Sequence, residues 1–167
     1  MKKQTMFIVK AAVIAAIYAA LTLALHPVAY GPIQFRASEA LSVLCVFTPA
    51  AIPGLTVGCF LSNLGSPYGV IDIVVGTLAT LLSVVCGYYT RKVRVKTLPL
   101  LTLLFPCIFN GIMVGAEIAY TMPQGFKWSV FLIAGLEVAA GEFVVCYLLG
   151  IPLFKAIDKT KLKDLLK

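Results

Sequence analysis

Apolar residues run in long stretches along this chain, and charged positions fall mostly into short breaks between them. A helix of about 20 apolar residues, rising 1.5 Å per residue, crosses roughly 30 Å of hydrocarbon. The pattern predicts membrane spans near 6–25, 37–48, 50–64, 70–90, 98–121 and 128–154. The middle of the chain is ambiguous. Pro49 and Pro53 mark either a turn between two short helices or a kink in one crossing. Backbone groups in lipid must be satisfied within the segment, so the spans are expected to be helical.

Composition supports this pattern. Hydrophobic residues make up 60% of the chain and charged residues 13%, with a mean hydropathy of +0.98. That leaves too little polar surface to cover a water-soluble globule. The expectation is a single all-α integral membrane domain over 1–167. The first run, MFIVKAAVIAAIYAALTLAL, follows Lys2 and Lys3. It is longer than the core of a cleaved signal, carries Lys10 and precedes further spans, so it reads as an uncleaved first crossing. The five cysteines stand singly in apolar runs without CxxC spacing. They read as small core residues, and neither a disulfide framework nor a metal site is expected.

Charge chooses between five and six crossings, because Lys and Arg near span ends favour the cytoplasmic side. Six crossings with both termini inside put twelve basic residues in the cytoplasm: Lys2, Lys3, Lys10, Arg91, Lys92, Arg94, Lys96, Lys155, Lys159, Lys161, Lys163 and Lys167. Only Arg36 and Lys127 are then outside. Five crossings in the better orientation divide the same residues ten to four, so six is preferred. The net charge of +7 is thus a topology signal and a grip on anionic membrane lipid, with no call for nucleic acid. The tail FKAIDKTKLKDLLK reads as a solvated or interfacial helix end.

Small residues suggest where helices meet. The first span holds two ladders at four-residue spacing, Ala11, Ala15, Ala19 and Ala12, Ala16, Ala20. Gly54, Gly58 and Ser62 line the third, and Asp72, Gly76, Ala79, Ser83 and Gly87 the fourth. Internal packing accounts for the third and fourth. The alanine ladders, at the edge of the chain, serve either internal packing or contact with another membrane subunit.

Acidic residues point to function, because a carboxylate in a span is costly and faces a partner or a watery cavity. Glu39, Asp72, Glu117, Glu137 and Glu142 lie in or beside spans, and under six crossings they gather toward the outer half. Asn110 shares a helix face with Glu117, seven residues away. Glu137 and Glu142 lie roughly 14 and 21 Å below Trp128 on different faces. Glu142 is favoured for a pocket, with Glu137 left open. Several carboxylates and an amide suit a small donor-rich, cationic ligand, with Tyr30, Phe35, Tyr68, Tyr120 and Trp128 available for stacking or forming an interfacial belt. Arg36 and Glu39, three apart, are expected to pair at a helix start. Gly31 and Pro32 shape a loop able to bring Gln34 to the ligand. His26, before Pro27, reads as a cap or loop contact. No HExxH, GxSxG or GxxxxGK[ST] occurs, so no enzyme activity or cofactor is expected, and any ATP-driven step needs another subunit.

The blocks YGPIQFRASEALSVL, IPGLTVGCFLSNL, GVIDIVVGTLATLLS, FNGIMVGAEIAY and AAGEFVVCYLLGIPLF, in this order along nearly the whole chain, resemble the QueT family. These are substrate-binding S-components of energy-coupling factor (ECF) importers for queuosine precursors. The resemblance implies a six-helix, ECF S-component-like fold in the cell membrane. It also implies a transmembrane T-component and two cytosolic ATPase subunits as partners, and 7-aminomethyl-7-deazaguanine or a close relative as ligand. In such importers small residues on the first helix commonly meet the T-component. A carboxylate suits the paired N–H groups of the guanine-like edge, an amide its carbonyl, and a second carboxylate the aminomethyl ammonium. Glu117, Glu142 and Asn110 are the expected minimal set, with Asp72, Gln34, Glu39, Arg36, Asn63 and Trp128 as further candidates. The same acids suit an S-component for another cationic heterocyclic nutrient, or a stand-alone secondary transporter in which they relay protons.

Overall fold

A computed structural model describes residues 2–31 and 34–166. Pro32 of the expected loop and Lys167 of the basic tail lie outside them. Among the described residues the regular elements are helical: α1 (Lys3–Ala24), α2 (His26–Ala29), a 3-10 helix η1 (Ala37–Val46), α3 (Ala51–Asn63), α4 (Val70–Tyr89), α5 (Leu100–Thr121), α6 (Trp128–Leu148), α7 (Gly150–Asp158) and α8 (Leu162–Leu166). Four stretches are long and apolar enough to cross a membrane: α1, α4, α5, and Trp128–Asp158, which joins α6 to α7.

Of the six expected spans, these four are long, and the two in the middle of the chain are shorter apolar helices. Segments 37–48 and 50–64 form two separate helices of 10 and 13 residues, joined by a turn around Pro49, so the region is not one kinked crossing. At 2.0 Å per residue in a 3-10 helix and 1.5 Å in an α-helix, each is about 20 Å long, short of the hydrocarbon thickness.

Close helix approaches fix the direction of each pass. A Cβ on Gly54 would meet Ala11 and Ile14, and one on Gly58 would meet Ala15 and Tyr18. Contacts that advance together in this way make α1 and α3 parallel, so η1 returns the chain between them. Gly87 lies against Thr102 near the start of α5, and Gly115 against Gly135 of α6, so α4, α5 and α6 alternate. The bundle therefore has a basic end, holding the loop 90–99 and the α7–α8 tail, and a far end, holding residues 25–31 and 34–36 and the loops 64–69 and 122–127.

Packing around η1 explains its burial. It touches α1, α3, α4, α5, α6 and α7, and Ser38, Glu39, Ala40 and Ser42 to Cys45 are all buried. Toward the basic end its neighbours are apolar: Leu44 and Cys45 cluster with Leu55, Val84 and Ile157, and Val43 with Leu103 and Phe154. Toward the far end they are polar.

The two alanine ladders part company. Ala15 is buried against α3 and Ala11 and Ala19 are half-buried, whereas Ala12, Ala16 and Ala20 are exposed. The Ala11, Ala15, Ala19 ladder thus serves internal packing, because the side-chain-free stripe of Gly54 and Gly58 lets α3 come against it.

Candidate functional site

Arg36 is the centre of a buried polar cluster in the far half of the bundle. It is 1% exposed, in extended backbone just before η1. Its Nη2 lies 3.4 Å from both carboxylate oxygens of Asp72 on α4, and its guanidinium stacks 5.0 Å from the centroid of the Tyr30 ring. A buried guanidinium needs such a partner, since a charge left unpaired there is strongly destabilising. Ser66 donates to the second Asp72 oxygen. Asn63 donates to the Asp72 backbone carbonyl at 2.9 Å, and Tyr30 donates to the Ser62 carbonyl at 2.8 Å and to Asn63 Oδ1 at 3.1 Å. Gly76 makes room for this meeting: a Cβ there would stand 2.6 Å from Asn63 Nδ2 and 3.5 Å from Arg36 Nη1.

The expected Arg36–Glu39 pair does not form. Because Arg36 precedes the helix, the i, i+3 geometry of a helix start does not apply, and Glu39 points into the bundle instead. Tyr18 of α1 and Thr80 of α4, the latter at 3.0 Å, both donate to Glu39 Oε1. Thr22 and Ser38, with oxygens 2.6 Å apart, continue the seam between α1 and η1.

A second arm joins α5 to α6. Asn110 Nδ2 donates to Glu142 Oε1 at 3.1 Å. Cys146 Sγ, one turn beyond, lies 3.8 Å from Glu142 Oε2 and 3.7 Å from the Glu39 carbonyl, tying this arm to η1. Glu117, seven residues from Asn110, is 4% exposed and lies within electrostatic reach of Arg36 and Asp72.

The cluster is incompletely satisfied. Buried atoms without a hydrogen-bond partner include Gln34 Nε2 and Arg36 Nε, which are donors, and Glu39 Oε2, Asn110 Oδ1 and both Glu117 oxygens, which are acceptors. The hydroxyls of Ser42 and Thr77 are unpartnered as well and, able to donate or accept, leave that balance unchanged. Each such group forfeits hydrogen bonds it had in water, so seven side chains doing this, Arg36 among them, need a physical reason. Gln34 adds backbone strain: its φ of 48° lies in the left-handed region, disfavoured for a residue with a Cβ. Its side chain is nevertheless held inside, 2% exposed.

The structure sorts the residues singled out by sequence. Gln34, Arg36, Glu39, Asn110 and Glu117 present unpartnered atoms. Asp72, Asn63 and Glu142 have their polar atoms engaged by neighbours. Trp128 stays out: it is 72% exposed and packs edge-on against Phe126 and Phe131 at the far rim. Tyr120 is exposed too, so these two rim aromatics belong to an interfacial belt, whereas Tyr30 enters the cluster. Glu142 is buried, whereas Glu137 is exposed and lines a separate groove of about 360 Å³ with Tyr68, Thr121 and Met122. A larger groove of about 600 Å³, between α5 and α6, is lined by apolar residues such as Ile108, Leu132, Leu136 and Phe143. None of the polar residues of the cluster lines that groove. His26 makes a loop contact, Nε2 donating to the Gly65 carbonyl at 3.1 Å.

Sequence reasoning missed Tyr18, Thr22, Ser66, Thr80 and Cys146. A signal existed for the first two: a Tyr and a Thr four residues apart in an apolar span share one face, and that face also carries Ile14 and Ala15, which turn inward. Nothing in the spacing distinguishes Cys146 from the other cysteines.

A family model described as QueT transporter matches residues 8–159. The queuosine precursor transporter QueT of Lactococcus lactis subsp. cremoris (strain MG1363) is 41% identical over 88 residues, which cover 52% of this chain and 52% of that protein. The match thus spans about half the length of the curated relative. No solved structure matches the chain. With its long apolar helices, the family match makes this a multi-pass membrane protein.

Proposed function

From the premise that the chain belongs to the QueT transporter family, we propose that it is the membrane-embedded substrate-binding subunit of an energy-coupling factor importer. In this reading the far end faces outward, both termini are cytoplasmic, and η1 and α3 complete six passes as two short inner ones. A T-component and two cytosolic ATPases supply the energy. The ligand is 7-aminomethyl-7-deazaguanine or a close relative.

One observation carries the choice of ligand: the unpartnered atoms comprise two donor groups and four acceptor oxygens. The proposed ligand is complementary. Its N1–H, exocyclic amine, pyrrole N–H and aminomethyl ammonium donate, while its carbonyl oxygen and N3 accept. Glu117, with both oxygens free, suits the paired N1–H and amine as a bidentate acceptor. Gln34 Nε2 and Arg36 Nε suit the two acceptors. Glu39 Oε2 suits the ammonium. Charge argues the same way, since Glu39, Asp72, Glu117 and Glu142 are four buried carboxyl groups beside one buried guanidinium.

Calorimetric titration of the purified chain in detergent tests the reading. Binding is expected for 7-aminomethyl-7-deazaguanine, weaker binding for guanine, which lacks the ammonium, and none for adenine, whose edge reverses donor and acceptor. Binding of a different cationic heterocycle with no response to any deazapurine would transfer the site to another nutrient.

A further inference from the structure

Glu142 has no free oxygen for a ligand, yet it sits beside one of the atoms that does. Its Oε1 accepts from Asn110 Nδ2 at 3.1 Å and its Oε2 faces Cys146 Sγ, while Asn110 Oδ1 is buried and unpartnered. A primary amide has a donor end and an acceptor end of nearly equal size, and a half-turn about its last bond exchanges them. Shape alone does not choose between the two orientations. Glu142 Oε1 does: it accepts from Nδ2, whether as a carboxylate oxygen or as the carbonyl oxygen of a carboxyl whose proton sits on Oε2, and in either form it would repel Oδ1.

From this geometry we infer that Glu142 is a positioning residue, which locks the Asn110 amide so that its carbonyl oxygen, and not its NH2, is presented to the ligand. The inference rests on the binding site proposed above and adds a determinant of specificity to it. With Oδ1 outward the site accepts an N–H at that point. A ligand bearing a bare ring nitrogen or carbonyl oxygen there meets opposed lone pairs.

The test exchanges the two functional groups. In Glu142→Gln the new amide both donates and accepts, so the orientation of Asn110 is no longer fixed, and affinity for 7-aminomethyl-7-deazaguanine should fall about tenfold or more. In the double variant Glu142→Gln with Asn110→Asp, the amide introduced on α6 donates to one oxygen of the carboxylate introduced on α5, and the other oxygen still faces the ligand. Affinity should then return to within about threefold of the parent. A double variant no better than the single one, or a single variant with full affinity, overturns the inference.

A second measurement needs no ligand. Asn63 and Asn110 are the two asparagines of the chain, so selective 15N-asparagine labelling resolves their side-chain amides. The Asn110 pair should shift or split in Glu142→Gln while the Asn63 pair stays. If the parent fails to bind any deazapurine, the proposed function falls, and these resonances alone decide the orientation. An Asn110 signal indifferent to Glu142→Gln then overturns the inference by itself.

Discussion

At the scale of single residues, the site is a set of charges whose partners are fixed by geometry. Glu117 differs from the other acids in having both oxygens buried and unpartnered. Glu117→Gln keeps one acceptor and exchanges the other for a donor, so ligand binding should weaken by about 2 kcal/mol, roughly 30-fold, while the free protein becomes no less stable. Isothermal titration and thermal unfolding of the same preparation separate the two effects. Asp72 behaves oppositely. Asp72→Ala strands the Arg36 guanidinium in the interior and should cost about 3 kcal/mol of stability. Replacing both partners, Asp72→Leu with Arg36→Met, should restore the melting temperature but not binding, because the Arg36 Nε donor is gone. Recovery of binding in that double variant would remove Arg36 from the ligand's contacts. The carboxylates were legible in the sequence because each is costly in an apolar run. Their partners were not. Arg36 and Glu39 are three apart in the chain, yet they bond to α4 and to α1 and α4, since only the fold determines that Arg36 lies ahead of η1 and Glu39 on its inward side.

At the scale of elements, what apolar run length encodes was recovered, and what backbone geometry adds was not. The runs near 6–25, 70–90, 98–121 and 128–154 became α1, α4, α5 and α6 with α7, because a long apolar segment has one way to satisfy its backbone in lipid. The intervening 37–64 was ambiguous because Pro49 and Pro53 fit a turn between two short helices as well as a kink in one crossing, and run length does not tell an α-helix from a 3-10 helix. The 3-10 form matters for the site. Ten residues at 2.0 Å each reach about 5 Å farther than the same residues in an α-helix, so η1 spans from the polar seam at Ser38 to the apolar floor at Leu44. Side chains three apart then align, which puts Glu39 and Ser42 above Cys45 on one line. The fourth helix contributes through what it lacks. Gly76→Ala would place a Cβ 2.6 Å from Asn63 Nδ2, and that nitrogen is held by the Asp72 carbonyl. The substitution should cost about 1 to 3 kcal/mol through forced displacement and weaken ligand binding, because Asn63, Asp72 and Arg36 shift together. A melting curve and a binding isotherm for Gly76→Ala check this; an unchanged isotherm would mean that the α3–α4 contact tolerates widening without moving Arg36.

At the scale of the whole molecule, the first helix divides its surface between the fold and a neighbour. Ile14, Ala15, Tyr18 and Thr22 point inward, and α3 comes so near that a Cβ on Gly58 would stand 2.9 Å from the Ala15 carbonyl. Ala12, Ala16 and Ala20 point outward among the exposed Ile8, Val13 and Ile17. Small residues give little to lipid, which packs equally well against larger side chains, but they let another helix backbone approach closely. The outward ladder therefore suits a membrane partner, and in the importer proposed above that partner is the T-component. The two ladders make opposite predictions for one kind of substitution. Ala15→Trp forces a large ring between α1 and α3, so the isolated chain should lose both stability and ligand binding. Ala16→Trp, one residue on, leaves the interior untouched. The isolated chain should bind ligand as before, while ATP-dependent uptake by the reconstituted importer should drop sharply as the close helix contact is blocked. Measuring ligand binding in detergent and uptake in vesicles on the same two variants separates folding from coupling. Full uptake by Ala12→Trp and Ala16→Trp alike would move the partner to another face of the bundle and leave the exposed alanines without a coupling role.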